Sequence, residues 1–417
     1  MSLTKTQFII ITAVGVLAII FFLIFKGFIP GRQIIQKEKP SDEEQQIQFW
    51  GVFDSEKDYE TAIRAFEEYY KNVRIEYREF NDQASYNSTL LDALASGTGP
   101  DIFMVRSDDV ARNQNKIAPF PDASLAGVVR SAFPRTVERD FTRGGQVYAL
   151  SLSIDTLALI YNRALLNQAG IVFPPKTWEE LKKIASSLTR YNSKGEISQA
   201  GIALGGTSKT VYANGDIVST LALQDEVSSG GEPETEKVFG SKGETAINTY
   251  KEFSKNWSED MPYSPDAFRD GRVAMMLGYA SVLKNMKEKS VFVDPQIAAI
   301  PQIDEKKAVT YTKYWGYAVS NQSAKKNLAW EFLTNLTTNQ SFSESYMKAT
   351  GKPPALNSLI EAYKNDETFG VFVKQALIAF SLPSGNALRL EEKITQSVDE
   401  AILGNISSKQ AIEEILR

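Results

Sequence analysis

Hydrophobic and polar positions along the chain fall into three regimes. From Phe8 to Phe25 the run FIIITAVGVLAIIFFLIF carries no charge over eighteen residues. As a helix rising about 1.5 Å per residue it would be roughly 27 Å long, near the thickness of a bilayer's hydrocarbon. The run predicts one N-terminal transmembrane helix within residues 1–29, either a membrane anchor or an uncleaved signal. It outlasts an ordinary signal-peptide stretch, and Lys26-Gly27-Phe28-Ile29-Pro30-Gly31 offers no small-residue cleavage pattern. Residues 30–45 mix Pro, Gly and charge and read as a linker.

The third regime is the body. Residues 46–53 form an apolar, β-prone run. After Asp54-Ser55, both good helix caps, Tyr59, Ile63, Phe66 and Tyr70 recur at helical spacing. Val73, Ile75 and Tyr77 then alternate with charged residues, as in a strand with one wet face. A helix over 84–95 ends at Ser96-Gly97-Thr98-Gly99-Pro100, and Asp101–Val105 is a short buried strand. This β-α-β-α-β rhythm predicts an α/β fold with a largely parallel sheet, whose ligands sit off the carboxyl ends of the strands. A second block opens near Tyr148 with strand-like YALSLSIDTLALIYN. There Thr177 and Glu180 form a capping box before a helix burying Trp178, Leu181, Ile184 and Leu188. Residues 224–244 are polar and Gly-rich and read as an exposed loop. Ser323 is expected to cap a helix burying Leu328, Phe332 and Leu336. Leu390, Ile394, Val398 and Ile402 mark another helix, and Ser407 opens the last.

Composition removes most chemistry. The 417 residues contain no Cys and no His, which excludes disulfides, thiolate and imidazole metal sites, Cys nucleophiles and Ser-His-Asp catalysis. Paired carboxylates, Lys or Tyr remain, so a glycosidase is the enzyme still open. Forty-six basic against fifty-one acidic residues give a net charge of −5, unlike a nucleic-acid binder, and point to neutral or cationic partners. No calcium-loop spacing occurs, and Gly205-Gly206-Thr207 lacks the Lys of a phosphate loop. No metal or cofactor is expected.

Four stretches together resemble family 1 of the extracellular solute-binding proteins, the substrate-binding components of ABC sugar importers. They are SGTGPDIFMV (96–105), YALSLSIDTLALIYNRALLNQAGIVFPPKTWEELKKIASSLT (148–189), FRDGRVAMMLGYAS (268–281) and WGYAVSNQSAKKNLAWEFLTNLT (315–337). The resemblance covers about residues 46–417. It implies a two-lobed periplasmic-binding-protein-like fold of type II. The N-lobe would be 46–153 plus 315–357 and the C-lobe 156–310 plus 358–417, with a hinged cleft between them. It also implies a non-catalytic protein, working as a monomer on the extracytoplasmic face, held to the cell membrane by the N-terminal helix as a single-pass span. The cleft would pass a mono- or oligosaccharide to permease subunits. A tethered sensor without transport, or a non-sugar solute, fits the same resemblance.

A sugar cleft needs aromatic plates for C–H faces and polar groups for hydroxyls. Trp50 ends the first strand, as a plate or as core. Asp54 follows it, as a hydroxyl acceptor or a helix cap. Asp108 follows the DIFMV strand and matches a polar contact position of the family. Asp155 lies at the first crossover, as a solute contact or a hinge hydrogen bond. Tyr212 and Asn214 precede a second-lobe helix, while Tyr279 and Trp315 match aromatic positions. Gly351-Lys352-Pro353-Pro354 resembles a family loop at the cleft mouth. Val105 stands where an aromatic would serve a maltose-like specificity.

Overall fold

A computed structural model of the chain describes residues 44–122, 125–289, 293–384 and 386–417. The expected span from Phe8 to Phe25 and nearly all of the linker lie outside the described residues. Among the described residues no helix is long and apolar enough to cross a membrane. Residues 45–417 form one compact unit.

The unit opens with strand β1 (Gln45–Val52) and helix α1 (Glu56–Tyr69). Ser55 caps α1 in a capping box with Asp58, so the cap belongs to Ser55 and leaves Asp54 free for another use. The buried face of α1 is Tyr59, Ala62, Ile63 and Phe66, following the predicted period. Strand β2 (Val73–Phe80) runs parallel to β1 with Ile75 opposite Ile47. Helix α2 (Gln83–Ser96) is capped by Asp82 and stops at Gly97, whose φ of 75° suits a residue without Cβ. Strand β3 (Ile102–Arg106), buried throughout, pairs parallel with β1. The sheet is completed by a distant segment: Trp315–Ser320 lies antiparallel between β3 and Ile117–Ala118. The parallel part follows the local rhythm, whereas the antiparallel strand arrives from two hundred residues later.

A second sheet has Ala158–Asn162 at its centre, flanked antiparallel by Met275–Gly278 and Pro295–Ala298. Helix Trp178–Leu188, behind its Thr177 cap, buries its apolar face in the same core as this sheet. The expected loop over 224–244 is largely helical instead. Helix Asn214–Ser228 runs on through Gln224, and Thr235–Lys237, Val238–Lys242 and Gly243–Glu252 follow. Val238 and Phe239 are fully buried and pull that stretch onto the protein, a signal too short to show as a period.

Buried apolar side chains form two clusters. One runs from Ile47 to Ile154 and resumes at Tyr314; the other takes Leu157 to Tyr311 and, near the C-terminus, Leu382 to Ile415. The chain therefore passes between cores near 155 and near 312. The third passage lies beyond the expected 357. Leu359 and Ile360 still belong to the first core, and within helix Gly370–Ala376 Phe372 faces the second core while Val373 and Ala376 face the first. The crossings are stitched to one another. Thr156 bridges Thr312, the Thr312 hydroxyl donates to the Asp155 carbonyl at 2.7 Å, and the Ile154 amide donates to the Pro353 carbonyl at 3.1 Å.

Candidate binding cleft

The strands of the first sheet end at one edge, and three aromatic or cationic side chains stand there. Phe53 follows β1, Arg106 ends β3, and Trp315 pairs with Arg106 across the antiparallel strand. Phe53 has φ of 71°, costly for a residue with a Cβ, and its ring is 54% exposed, with centroid 6.3 Å from Trp315 in edge contact. Opposite stand Tyr212, Ala213 and Asp216 at the start of helix Asn214–Ser228, Tyr263, and Tyr279 at the end of Met275–Gly278. Ala213 has φ of 53°. Phe53 and Ala213 are the two non-glycine residues with positive φ among those described, and both lie on the wall of one cavity, each beside a different core. That cavity has a volume of about 800 Å³. It falls within the roughly 300–1,000 Å³ of small-molecule sites.

Most of the charge on the cavity lies in ion pairs. Asp54, 2% exposed, accepts from the Tyr59 hydroxyl at 3.0 Å and the Tyr346 hydroxyl at 2.8 Å, and forms an ion pair with Lys352. Gly351, in the left-handed region at φ 73°, turns the chain after helix Gln340–Thr350 and delivers Lys352 to that partner. Burial raises the Tyr59 and Tyr346 hydroxyls well above their ordinary pKa, and the Asp54 charge adds to it, so both stay neutral donors.

A second network spans the cleft. Asp108 holds Arg106 in a fork at 3.0 and 2.7 Å, and Arg106 reaches Glu391 of helix Ala387–Leu403 at 2.6 Å. Glu391 also meets Lys313 at 2.5 Å, Lys313 meets Asp216 at 2.9 Å, and Asp216 accepts from the Tyr279 hydroxyl at 2.9 Å. The chain thus ties the first core, the second crossing and the second core. Burial alone would raise the Glu391 pKa, but Lys313 and Arg106 overcome it and hold the carboxyl down at about 2. For Asp216 burial dominates and the pKa is raised despite Lys313.

Asp155 sits at the first crossing. Its carboxylate accepts from the Thr156 amide at 2.9 Å and from the Ala280 amide at 3.2 Å to each oxygen, at the start of helix Ala280–Lys289. Burial pushes its pKa up to about 7, against the pull of those amides and of Lys352.

Of the residues named from sequence, Asp54, Asp155, Tyr212, Tyr279 and Trp315 come together on this cavity, and Trp50, Asp108 and Asn214 do not. Trp50 is core, 7% exposed, under the Arg78 guanidinium at 4.6 Å and beside Phe80. Asp108 lies behind Arg106. The Asn214 amide donates to Asp399 at 2.7 Å on the far side of its helix. Phe53, Arg106, Asp216, Tyr263, Lys313, Lys352 and Glu391 were missed. Lys352 lay in the mouth-loop motif already noted and Arg106 directly after the DIFMV strand; the others carried no local signal.

The profile of the bacterial extracellular solute-binding proteins matches residues 61–371. The maltotriose-binding protein of Pyrococcus abyssi is 22% identical over 352 residues, covering 81% of this chain and 70% of that one. A binding protein of Brucella abortus is 25% identical over 228 residues, 53% of this chain, and the chain spans 54% of that relative's length. Among solved structures, a cyclo/maltodextrin-binding protein complexed with maltotetraose superposes with a TM-score of 0.71 at 18% identity, over 91% of this chain and 97% of that one. At such identity the likeness shows the two-lobed α/β fold. With the profile covering three-quarters of the sequence and a roomy cleft where two cores face each other, the chain belongs to the bacterial extracellular solute-binding proteins, which bind rather than catalyse.

Proposed function

We propose that the cleft captures a neutral or cationic carbohydrate, a mono- or short oligosaccharide, and closes over it by movement about the crossings near 155 and 312. The observation that carries this reading is the lining of the 800 Å³ cavity. Phe53 and Trp315 offer aromatic plates on one side and Tyr212, Tyr263 and Tyr279 on the other. Ion pairs among them offer donors and acceptors, and of the four lining cations Arg106, Lys313 and Lys352 are each held by a carboxylate. Aromatic faces suit sugar C–H surfaces, and fixed polar groups suit hydroxyls. Several related structures are of proteins bound to sugars, including maltotetraose and α-D-tagatose.

Core membership supports drawing one lobe as 46–153 plus 315–357, continued to Ile360, and the other as 156–310 plus the C-terminal helices. The captured sugar is handed to the permease of an ABC importer, the protein working as a monomer. The apolar run from Phe8 to Phe25 holds the body to the membrane on its extracytoplasmic face, a reading that rests on the sequence of the run alone. Calorimetry and thermal shift against mono- and oligosaccharides test the binding claim. A sugar at about 100 times its Kd adds about 2.7 kcal/mol and raises the melting temperature. No rise with any sugar, alongside a rise with a peptide or with iron, would overturn it.

A further inference from the structure

The cavity is lined by five carboxylates and four cations, an excess of one negative charge. Six of these nine charges answer one another or a neighbouring carboxylate, and Asp58 closes the capping box of α1 with Ser55. Lys352 is held by Asp54, and Glu391 bridges Arg106 and Lys313, whose other sides are held by Asp108 and Asp216. The Lys284 ammonium, at the rim, donates to the Ala349 carbonyl at 2.7 Å.

Asp155 differs from Asp58 in lying at the crossing between the two cores. Among the described residues it makes no ion pair, and its carboxylate rests on two backbone amides alone. The charged and titratable groups facing it are Lys352, already engaged by Asp54, and Tyr212, whose hydroxyl burial keeps neutral. Asp155 is half-buried, and a carboxylate partly withdrawn from bulk water without a cation of its own carries a cost that a ligand bringing the cation relieves. Three amide contacts leave lone-pair capacity open toward the cavity, which Asp155 lines. Its position at the crossing, tied through its carbonyl to Thr312, places any such contact where the two cores meet.

We propose that Asp155 receives a protonated amine and that the solute is an amino-substituted carbohydrate. This rests on the carbohydrate reading above and narrows it. A hydroxyl donating to the same oxygen leaves the carboxylate charge uncompensated, whereas an ammonium brings the opposite charge together with the hydrogen bond and forms an ion pair. Pairing also drives Asp155 to its ionised form, so below pH 7 amine binding expels the proton that burial had kept on it.

The test is calorimetric, at pH 6. Glucose, galactose and mannose are each titrated against their 2-amino-2-deoxy counterparts, and cellotriose against its glucosamine analogue. The expected result is an amino sugar binding at least about tenfold more tightly than its parent. About one proton should be released per amine bound, read from the dependence of the heat on buffer. In Asp155→Asn protein the ratio of the two affinities falls to about one and the proton release disappears. Parent sugars that bind as tightly as their amines in the wild-type protein overturn this inference and leave the carbohydrate reading standing. So does an Asp155→Asn variant that weakens both partners by the same factor, the mark of a helix cap. If no sugar of either kind binds, the carbohydrate reading falls and takes this inference with it.

Discussion

Replacing Asp155 by Asn should change how stability varies with pH. Burial lifts this carboxyl from 3.8 to about 7. In the unfolded chain it titrates near its ordinary value of about 3.9. Between those two values the folded protein keeps a proton that the unfolded chain has lost, so wild-type stability falls as pH rises, by about 1.4 kcal/mol per unit. Across roughly three units the loss reaches about 4 kcal/mol, complete above pH 7 and absent below pH 4. Solvent contact through the cavity makes that an upper figure. Asn cannot titrate. The variant should therefore match the wild type near pH 4, apart from any constant packing difference, and gain on it steadily up to pH 7.5. Urea denaturation of the ligand-free protein at half-unit pH intervals reads this directly. A difference that stays flat from pH 4 to 7.5 would mean that the native carboxylate is already ionised at pH 4, and the account of an unpaired anion would be wrong.

Lys352→Met strands the Asp54 charge in a site 2% exposed and should cost about 3–5 kcal/mol in denaturant unfolding, most of it recovered in the double variant with Asp54→Asn. A double variant as unstable as the single would show that Lys352 acts through something other than Asp54. Glu391→Gln weakens the link between Arg106 and Lys313; small-angle scattering should show a larger radius for the free protein and little change with ligand bound. Trp315→Ala removes a cavity plate and should weaken sugar binding by more than about tenfold.

Secondary structure was legible wherever its signals are local. The Ser55, Thr177 and Ser407 caps, the Tyr59–Phe66 stripe of α1 and the buried strand β3 all follow from spacing and capping chemistry. The cleft was legible only in part, because facing is decided at single-residue resolution. Trp50 and Phe53 are three positions apart. The first is locked into the pleat of β1 against Phe80, while the second leaves the strand in a left-handed conformation that no propensity predicts. Asn214 and Asp216 share one helix end, yet one turns to Asp399 and the other to Lys313.

The long-range partners were hidden for a different reason. Glu391 reads as a polar position of an amphipathic helix, and Lys313 as a charge between short strands. The pairing of Trp315 with Arg106 sets Lys313 near the end of β3, and Glu391 arrives on helix Ala387–Leu403 to bridge Lys313 and Arg106. Periodicity reports the element a residue belongs to. Which distant element it will meet depends on tertiary packing, where the sequence carries no local mark. The helical stretch within 224–244 escaped for that reason too: Val238 and Phe239 gain their burial from a core assembled elsewhere along the chain.

The most direct test uses tryptophan fluorescence. Of five tryptophans, Trp315 alone lines the cavity. Titrating the protein with neutral and amino sugars should give a saturable emission change that vanishes in Trp315→Phe protein. No saturable change with any sugar, or an undiminished change in the variant, would contradict a cleft that takes carbohydrate between its two cores.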